Sequence, residues 1–588
     1  MSTDHKAPKK NGFPPKKKFS KIRVIKKPLI IGSIAAALAV TGLLGGFYFF
    51  NIDQQKKEDI LVIGMEFYLN SLDPLYNPDD LSFQENNMVW SQIIEGLFEH
   101  NQSREDTPII PCLAKDLGTW SADGLNFTVP LKEGVKFHDG TPFNATAVKW
   151  NFERLYRFID TMLWGDIWVW YYMYLLPDGR SIINETRVID EYTVRFVLNE
   201  PYAPLRAVLA TFSSYILSPT STPENDFVDK FTGKLIGTGP FMLESYDMDP
   251  IDELCGNLTL IANEDYWELK PKIDKVHFLS LSAYDRMEKV ISGEIHYTPG
   301  SNNFTLIETC KNATSVYAAP RTGRGVFYVA MNYDIFPLEM RKAMSYAFNY
   351  SDYIKTMFED RHVRCKSPLP KGMLYSNWDF DVASTDIQIA RQTLKNASWP
   401  GTSGLTADDN VSAGNEWEKL VDDGMPLETY NFSYVPTVDS HVLQSVLFTK
   451  YFKQIGINVS LNNLTGPAWW DKVQKGGMEF YTIGWGAAFN DPVEILNPLF
   501  SENSPYNHYN FTDAQVEDWL NQGLIERNET ARRQIYYDIQ KRLIEDLYPV
   551  IWTHTNIDWE IWASNVKGIP LEGVPYTFIL KYAYLEDN

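Results

Sequence analysis

Residues 131–155 read LKEGVKFHDGTPFNATAVKWNFERL, and this stretch decides the fold. Just before it, apolar residues alternate with polar ones, which predicts a strand with one buried face. Gly134 and the His138-Asp139-Gly140 step have turn chemistry. After the turn, apolar residues recur at three- and four-residue spacing, which predicts a helix. The apolar residues of strand and helix are Leu125, Phe127, Val129 and Leu131, then Ala145, Val148, Phe152, Leu155 and Ile159.

Strand and helix patterns alternate through the rest of the chain. Ile60–Ile63 predicts a strand, and an amphipathic helix follows Pro337. The stretch 399–423 is rich in Gly, Ser, Asp and Asn and predicts a surface loop or insertion. Strands mixed with helices throughout predict an α/β protein, and 588 residues are enough for two or three lobes.

Charge is strongly segregated along the chain. Residues 1–28 hold ten Lys and Arg and one acid, which predicts a basic cytoplasmic tail. Beyond residue 28 the chain holds 44 Lys and Arg against 74 Asp and Glu, a formal charge of −30. A body this acidic repels phosphate backbones, so we expect no nucleic-acid partner.

The uncharged segment 29–50 has the length that spans a bilayer and ends in Phe47-Tyr48-Phe49-Phe50, where an aromatic belt would lie. With the basic tail before it, it predicts a single-pass anchor with the tail inside the cell and the body outside. A cleavable signal peptide is the alternative, although the small residues Ala35–Ala39 lie in the middle of the segment rather than after it. Residues 51–58 are a polar linker.

Fifteen Asn-x-Ser/Thr sequons lie beyond this segment, where chance would place roughly a third as many. The excess indicates an external, glycosylated body. Bacteria rarely modify such sites, so the pattern favours an archaeal cell surface. The leading candidates for glycosylation are Asn101, Asn126, Asn184, Asn257, Asn312 and Asn431.

Sequence signals for catalysis or metal binding are weak. Cys112, Cys255, Cys310 and Cys365 have no metal-type spacing, so they are either two disulfides or buried thiols. The nine His form no HExxH pair, and no GxSxG elbow occurs. His138-Asp139-Gly140 is better explained as a solvent-side turn than as a catalytic group. We therefore expect no catalytic residue, cofactor or metal.

In this order, the strand, turn and helix around residues 131–155 resemble the signature of the extracytoplasmic solute-binding proteins that serve ABC importers. The resemblance is to the peptide/nickel-binding family (family 5, oligopeptide/dipeptide-binding type) and extends from about Asp59 to the C-terminus. The further stretches that carry it are GTGPF at 237–241 with Asn263-Glu264-Asp265-Tyr266-Trp267, Met331-Asn332 with the helix after Phe336-Pro337, and Gly484-Trp485 with Asp491-Pro492.

The resemblance implies an α/β clamp of two lobes, of the type II periplasmic-binding-protein kind, with an additional subdomain in the first lobe. The chain would cross between lobes twice. Lobe I would then combine residues 59–315 with 551–588, and lobe II would hold residues 316–550. The implied partners are ABC permease and ATPase subunits, because the chain has no GxxxxGK[ST] run of its own.

The resemblance also implies where ligand binds. Trp485 would face the cleft, and peptide-binding members carry an Asp three residues later that pairs with the α-amino group. That position is Ala488, and near Tyr434, where dipeptide binders use an Arg, there is none. A buried zwitterion without partners costs roughly several kcal/mol per charge. Asp491 either substitutes for the missing acid or belongs to the turn before Pro492. Trp470 and Trp552 are further candidates for the cleft.

The leading hypothesis is thus a membrane-anchored solute-binding subunit that captures peptides or peptide-like solutes. An oligosaccharide receptor of the same fold and a surface hydrolase are the alternatives. A glycosidase would need two carboxylates facing each other across a cleft.

Overall fold

The computed structural model describes residues 58–65, 71–76, 83–161, 172–176, 179–248, 255–299, 304–408, 416–572 and 578–586. The chain divides into two units, 1–56 and 57–588, and all of the described residues belong to the second. The predicted tail and anchor lie outside the described residues, as does the linker except for residue 58. Among the described helices, none combines the length and apolar character needed to span a membrane.

Strands and helices alternate through the described residues. The strands are, in chain order, β1 (Ile60–Met65), β2 (Phe98–His100), β3 (Ile109–Pro111), β4 (Thr119–Trp120), β5 (Asn126–Pro130), β6 (Ile183–Asp190), β7 (Thr193–Leu198), β8 (Phe241–Met248), β9 (Cys255–Ala262), β10 (Lys275–Ser280), β11 (Tyr297–Pro299), β12 (Val316–Thr322), β13 (Gly325–Met331), β14 (Val363–Arg364), β15 (Glu428–Tyr434), β16 (Ile457–Asn463), β17 (Phe480–Gly486), β18 (Val550–Thr555), β19 (Ile557–Ala563), β20 (Val566–Lys567) and β21 (Tyr584–Leu585).

The α-helices of the same residues are α1 (Phe83–Ile93), α2 (Ala145–Thr161), α3 (Leu205–Val208), α4 (Ala283–Ser292), α5 (Phe304–Asn312), α6 (Leu338–Ala347), α7 (Tyr350–Phe358), α8 (Ile387–Asn396), α9 (Glu416–Asp422), α10 (Asp439–Lys453), α11 (Gly466–Gln474), α12 (Val493–Phe500), α13 (Ala514–Ile525) and α14 (Glu529–Lys541). A π-helical turn, Arg542–Leu547, follows α14.

Two large sheets form the cores of two lobes. The lobe I sheet has the strand order β12-β19-β11-β1-β10-β9-β8, and the lobe II sheet has the order β14-β18-β13-β17-β15-β16. A four-stranded sheet, β4-β5-β7-β6, forms the additional subdomain of lobe I. The predicted two-lobed α/β clamp is therefore confirmed.

The signature stretch folds as predicted, in this subdomain. Strand β5 buries Phe127 and Val129 on one face, and helix α2 packs beside the same sheet. The predicted helix after Pro337 is also confirmed, as α6. The predicted loop 399–423 is wrong in one part, because α9 forms there and buries Trp417, whose Nε1 donates to the carbonyl oxygen of Thr406 at 2.7 Å.

The chain changes sheets between β12 and β13 and again between β18 and β19. Strand β12 pairs with β19 in lobe I, whereas β18 pairs with β13 in lobe II. The changes therefore fall at residues 323–324 and at Asn556, not at the predicted boundaries of 315/316 and 550/551. The pairing of strands decides to which lobe each strand belongs, and the sequence of a single strand says little about which strand it pairs with.

The motifs that carry the family resemblance pack against one another. A Cβ added at Gly237 or Gly239 would lie 2.2 or 2.6 Å from a carbonyl oxygen of helix α1, so these positions require glycine. The His138 ring nitrogen Nε2 lies 2.9 Å from the carbonyl oxygen of Gly239. The turn that begins at His138 is thus packed against the segment that leads into strand β8. The prediction that this turn faces solvent is wrong for the His138 imidazole.

A buried carboxylate joins two further motifs. Glu95 accepts hydrogen bonds from Thr238 Oγ1 at 2.8 Å, Tyr266 Oη at 2.6 Å and Trp267 Nε1 at 2.8 Å. Burial raises the pKa of Glu95 although these donors and the nearby Lys581 oppose the shift. Tyr266 and Trp267 are therefore explained by the fold and not by ligand.

The four cysteines are free, buried thiols. Burial raises the pKa of all four, which keeps them protonated and unreactive at neutral pH. Of the two interpretations offered by the sequence, the structure selects the buried thiols.

Candidate functional site

Trp485 lies near the end of β17, just before the loop 487–491 that leads into helix α12. Its indole is half-buried, and Nε1 donates to the carbonyl oxygen of Glu494 at 2.8 Å. The half-buried Ala488 donates its backbone N–H to Glu494 Oε1 at 3.2 Å. Helix α12 thereby fixes both the ring and the loop.

A continuous row of rings extends from Trp485 across lobe II, and we call it the aromatic row. Neighbouring ring centroids are 5.0–6.3 Å apart along Trp485, Tyr506, His508, Trp470, Trp469 and His441. Burial lowers the pKa of His441 and of His508, so both imidazoles are neutral at pH 7. The row is therefore an uncharged surface, and Trp470 at its middle is 40% exposed.

Asp491 is already paired within the protein. Its two carboxylate oxygens accept from Arg532 at 2.7 and 2.8 Å, and Oδ1 also accepts the backbone N–H of Val493 at 3.1 Å. The residue is 2% exposed. Both carboxylate oxygens are thus bound within the protein, and these hydrogen bonds favour the turn interpretation over the substitute acid.

The remaining predicted residues differ in their surroundings. Trp552 is 7% exposed and packs edge-on against Tyr328 at 5.6 Å inside lobe II. This burial in the lobe II core argues against the prediction that Trp552 lines the cleft. Tyr434 is half-buried at the end of β15, stacked on Phe432 at 6.2 Å.

The loop 487–491 contacts lobe I directly. Phe489 is buried in the same hydrophobic cluster as the lobe I core. Asn490 Nδ2 donates to the carbonyl oxygens of Asp106 at 3.2 Å and Thr107 at 3.0 Å, and its N–H donates to His100 Nε2 at 3.4 Å. Burial, together with Arg324, lowers the pKa of His100 to about 3, so the imidazole is neutral and can accept. No sequence pattern indicates this contact, because its partners are far apart in the chain.

A cavity of about 1100 Å³ lies on the Asn490–Asp491 side of this loop. Its walls come from both lobes: residues 104–109 and 203–207 of lobe I, and residues 371–376 and 526–533 of lobe II. A volume of this size holds a small-molecule ligand. Within the described residues, no group of His, Cys, Asp or Glu side chains is arranged to hold a metal ion.

Comparisons with known proteins agree with this architecture. Residues 108–507 match the family of bacterial extracellular solute-binding proteins, family 5, middle region. The chain belongs to this family. The predicted family is therefore confirmed, and with it the role of substrate-binding subunit of an ABC importer.

Two curated relatives match over most of their length. The chain is 24% identical over 504 residues to the probable D,D-dipeptide-binding periplasmic protein DdpA of Escherichia coli K12, covering 83% of this chain and 87% of that protein. It is 25% identical over 520 residues to the glutathione-binding protein GsiB of Pectobacterium atrosepticum, with the same two coverages of 83% and 87%.

Solved structures share the fold. HbpA2 from Haemophilus parasuis matches with a TM-score of 0.74 at 21% identity, covering 90% of this chain and 100% of that one. The periplasmic binding protein DppA from Helicobacter pylori, in complex with the peptide STSA, matches with a TM-score of 0.67 at 23% identity, covering 91% and 99%.

Proposed function

We propose that this clamp captures peptides or peptide-like solutes outside the cell and delivers them to an ABC permease driven by separate ATPase subunits. The ligand would lie against Trp485 and the loop 487–491, held by ring contact and backbone hydrogen bonds. Ligand that touches both lobes favours the closed clamp, since a difference in affinity between the two forms is what shifts their populations.

One observation supports this mode of recognition above the others. Where the family resemblance expects an amino-pairing Asp, the chain has Ala488, and the next acid, Asp491, is bound by Arg532. A free α-amino group would lack the family's counter-ion here, since the one carboxylate at Ala488, that of Glu494, is 1% exposed and accepts the Ala488 N–H. Longer or blocked peptides, whose contacts are mainly amide and side chain, fit such a surface better than dipeptides do.

The aromatic row supports a second candidate, an oligosaccharide receptor. Sugar rings stack on exposed indoles, and Trp470 is 40% exposed in the middle of the row. We rank it second because the curated relatives described above are named for dipeptide or glutathione binding.

The full-length chain incubated with a defined peptide mixture and with a mixture of oligosaccharides tests the ranking. We expect mass spectrometry to show that the chain retains peptides and that the peptides it later releases are chemically unchanged. Retention of sugars alone would favour the second candidate, and cleaved products would favour a hydrolase.

We further propose that residues 29–50 anchor the chain in the membrane, with the body outside. The basic tail, the uncharged segment and the one-sided sequons support this topology. Protease added to intact cells should digest the body and leave the tail. A mature N-terminus near residue 50 would contradict the anchor, and an archaeal source stays a prediction.

A further inference from the structure

Six basic and five acidic side chains line the cavity between the lobes, and the acids are Glu105, Asp106, Asp491, Glu526 and Glu529. Three of its arginines pair with acids of the same wall: Arg104 with Asp106, Arg532 with Asp491 and Arg533 with Glu529. Arg206, Arg527 and Lys371 also line the cavity. Among the described residues, none of these three cations has a carboxylate oxygen within the 4.0 Å limit of a salt bridge, although Arg527 is near enough to Asp123 to help lower the pKa of that carboxyl.

Arg206 is the most buried of these three cations. Its guanidinium is half-buried, and Nε donates to the carbonyl oxygen of Leu117 at 3.0 Å. Burial lowers its pKa, and no acid raises it again. A partly desolvated cation without a counter-ion creates a positive potential that favours an anion beside it.

Arg206 and Arg527 lie over different rings of one aromatic pair. The rings of Trp120 and Phe127 are 4.5 Å apart. Arg206 of lobe I lies 5.6 Å from the Phe127 ring, and Arg527 of lobe II lies 6.0 Å from the Trp120 ring. Arg527 also spans the lobes, because its terminal nitrogens donate to the carbonyl oxygens of Ser121 at 2.9 Å and Ala122 at 2.7 Å.

We propose that this cavity is a second binding site, for an organic anion with two or more carboxylates, held between Arg206 of lobe I and Arg527 and Lys371 of lobe II. An anion in this position bridges the lobes and stabilises their contact. The site goes beyond the proposed peptide function: its walls include Asn490 and Asp491 of the loop 487–491, but not Trp485 or any other ring of the aromatic row.

The chemistry favours carboxylates over inorganic phosphate. The cavity of about 1100 Å³ is far larger than a phosphate ion, and its arginines Arg206 and Arg527 lie over different rings of an aromatic pair. Ile109, Trp120, Met373 and Leu374 add apolar wall for a carbon skeleton. Planar guanidinium groups bind carboxylates in a bidentate manner, so separated carboxylates suit separated arginines.

The test is calorimetric titration of the full-length chain with citrate, and with inorganic phosphate at matched ionic strength. We expect saturable citrate binding, at least tenfold weaker in Arg206→Gln and in Arg527→Gln, and phosphate binding at least tenfold weaker than citrate. Arg187→Gln is the matched control, because Arg187 lies exposed on β6 of the same subdomain and pairs with Glu185. It should bind citrate as the wild type does.

Two further variants, Lys371→Gln and Trp485→Ala, also test the proposal. Lys371 is exposed, so Lys371→Gln should fold normally and weaken citrate binding severalfold. Trp485→Ala should leave citrate binding unchanged, which separates this site from the proposed peptide site. Absence of saturable citrate binding, equal or tighter binding of phosphate, or unchanged affinity in both Arg206→Gln and Lys371→Gln would overturn the proposal.

Discussion

Gly323 donates its backbone N–H to the carbonyl oxygen of Asn556 at 2.9 Å, where both connections between the lobes pass side by side. A Cβ at position 323 would lie 2.2 Å from Asn556 Oδ1. Asn556 Nδ2 in turn donates to Asp558 Oδ1 at 2.6 Å, so the side chain cannot move away without losing this bond. The two connections form a close-packed hinge.

Gly323→Ala should therefore destabilise the chain by about 1–3 kcal/mol through overpacking. Thermal unfolding followed by calorimetry measures the change. Gly256→Ala is the control, since a Cβ there meets no atom within 4 Å. An equal loss of stability in both variants would refute the close-packed hinge.

Asp73 and Arg154 form an ion pair inside lobe I, at 0% and 1% side-chain exposure. Removing one partner from a buried pair leaves an uncompensated charge, so Arg154→Met should cost about 3–5 kcal/mol. Urea unfolding of the variant and of Arg104→Gln, which breaks an exposed pair, gives the comparison. A small effect at Arg154 would mean that water reaches this pair.

Asp139 gives the protein an acid-sensitive interaction. Burial opposes ionisation, but hydrogen bonds from Ser218, Ser221 and Thr141 outweigh it and lower the pKa of Asp139 to about 2, from 3.8. Because the folded pKa is depressed, this interaction stabilises the protein above pH 3.8 and is lost as the pH falls toward 2. Melting temperatures measured from pH 5 to pH 2 should fall less steeply in Asp139→Asn. An unchanged slope would assign the acid sensitivity to other groups.

We expect glycosylation at the sequons whose asparagine is exposed to solvent. Asn184, Asn257 and Asn312 are exposed, whereas Asn101, Asn126 and Asn431 are half-buried. The Asn431 side-chain amide donates to Glu479 Oε1. Peptide mapping of natively expressed chain should find glycans at Asn257 and Asn312 and none at Asn431. A glycan at Asn431 would require this strand to open before modification.

The sequence predicted the fold well because its family motifs are structural. Gly237 and Gly239 are required by the close approach of helix α1, and Tyr266 and Trp267 by the buried Glu95. Such constraints leave a local pattern that can be recognised. The ends of the lobes were predicted less accurately, because strand pairing between β12 and β19 joins residues far apart in the chain.

The site was harder to predict than the fold. The sequence proposes Trp485 and Trp470, which the structure joins in one aromatic row through Tyr506 and His508, and their part in ligand binding stays a prediction. Nothing in the sequence pairs Asp491 with Arg532, 41 residues later, or places Trp552 in a core. These outcomes depend on tertiary packing, about which hydrophobic periodicity gives no information.

The most direct test of the central claim is mass spectrometry of the solutes that co-purify with the full-length wild type and with Trp485→Ala. The control is Trp378→Ala, because Trp378 is also half-buried and its Nε1 also donates to a carbonyl oxygen, that of Leu369 at 3.0 Å. Truncation of a buried aromatic contact costs roughly 2–4 kcal/mol of binding. We predict peptides bound to the wild type and to Trp378→Ala but lost from Trp485→Ala. An unchanged peptide load in Trp485→Ala would contradict the account.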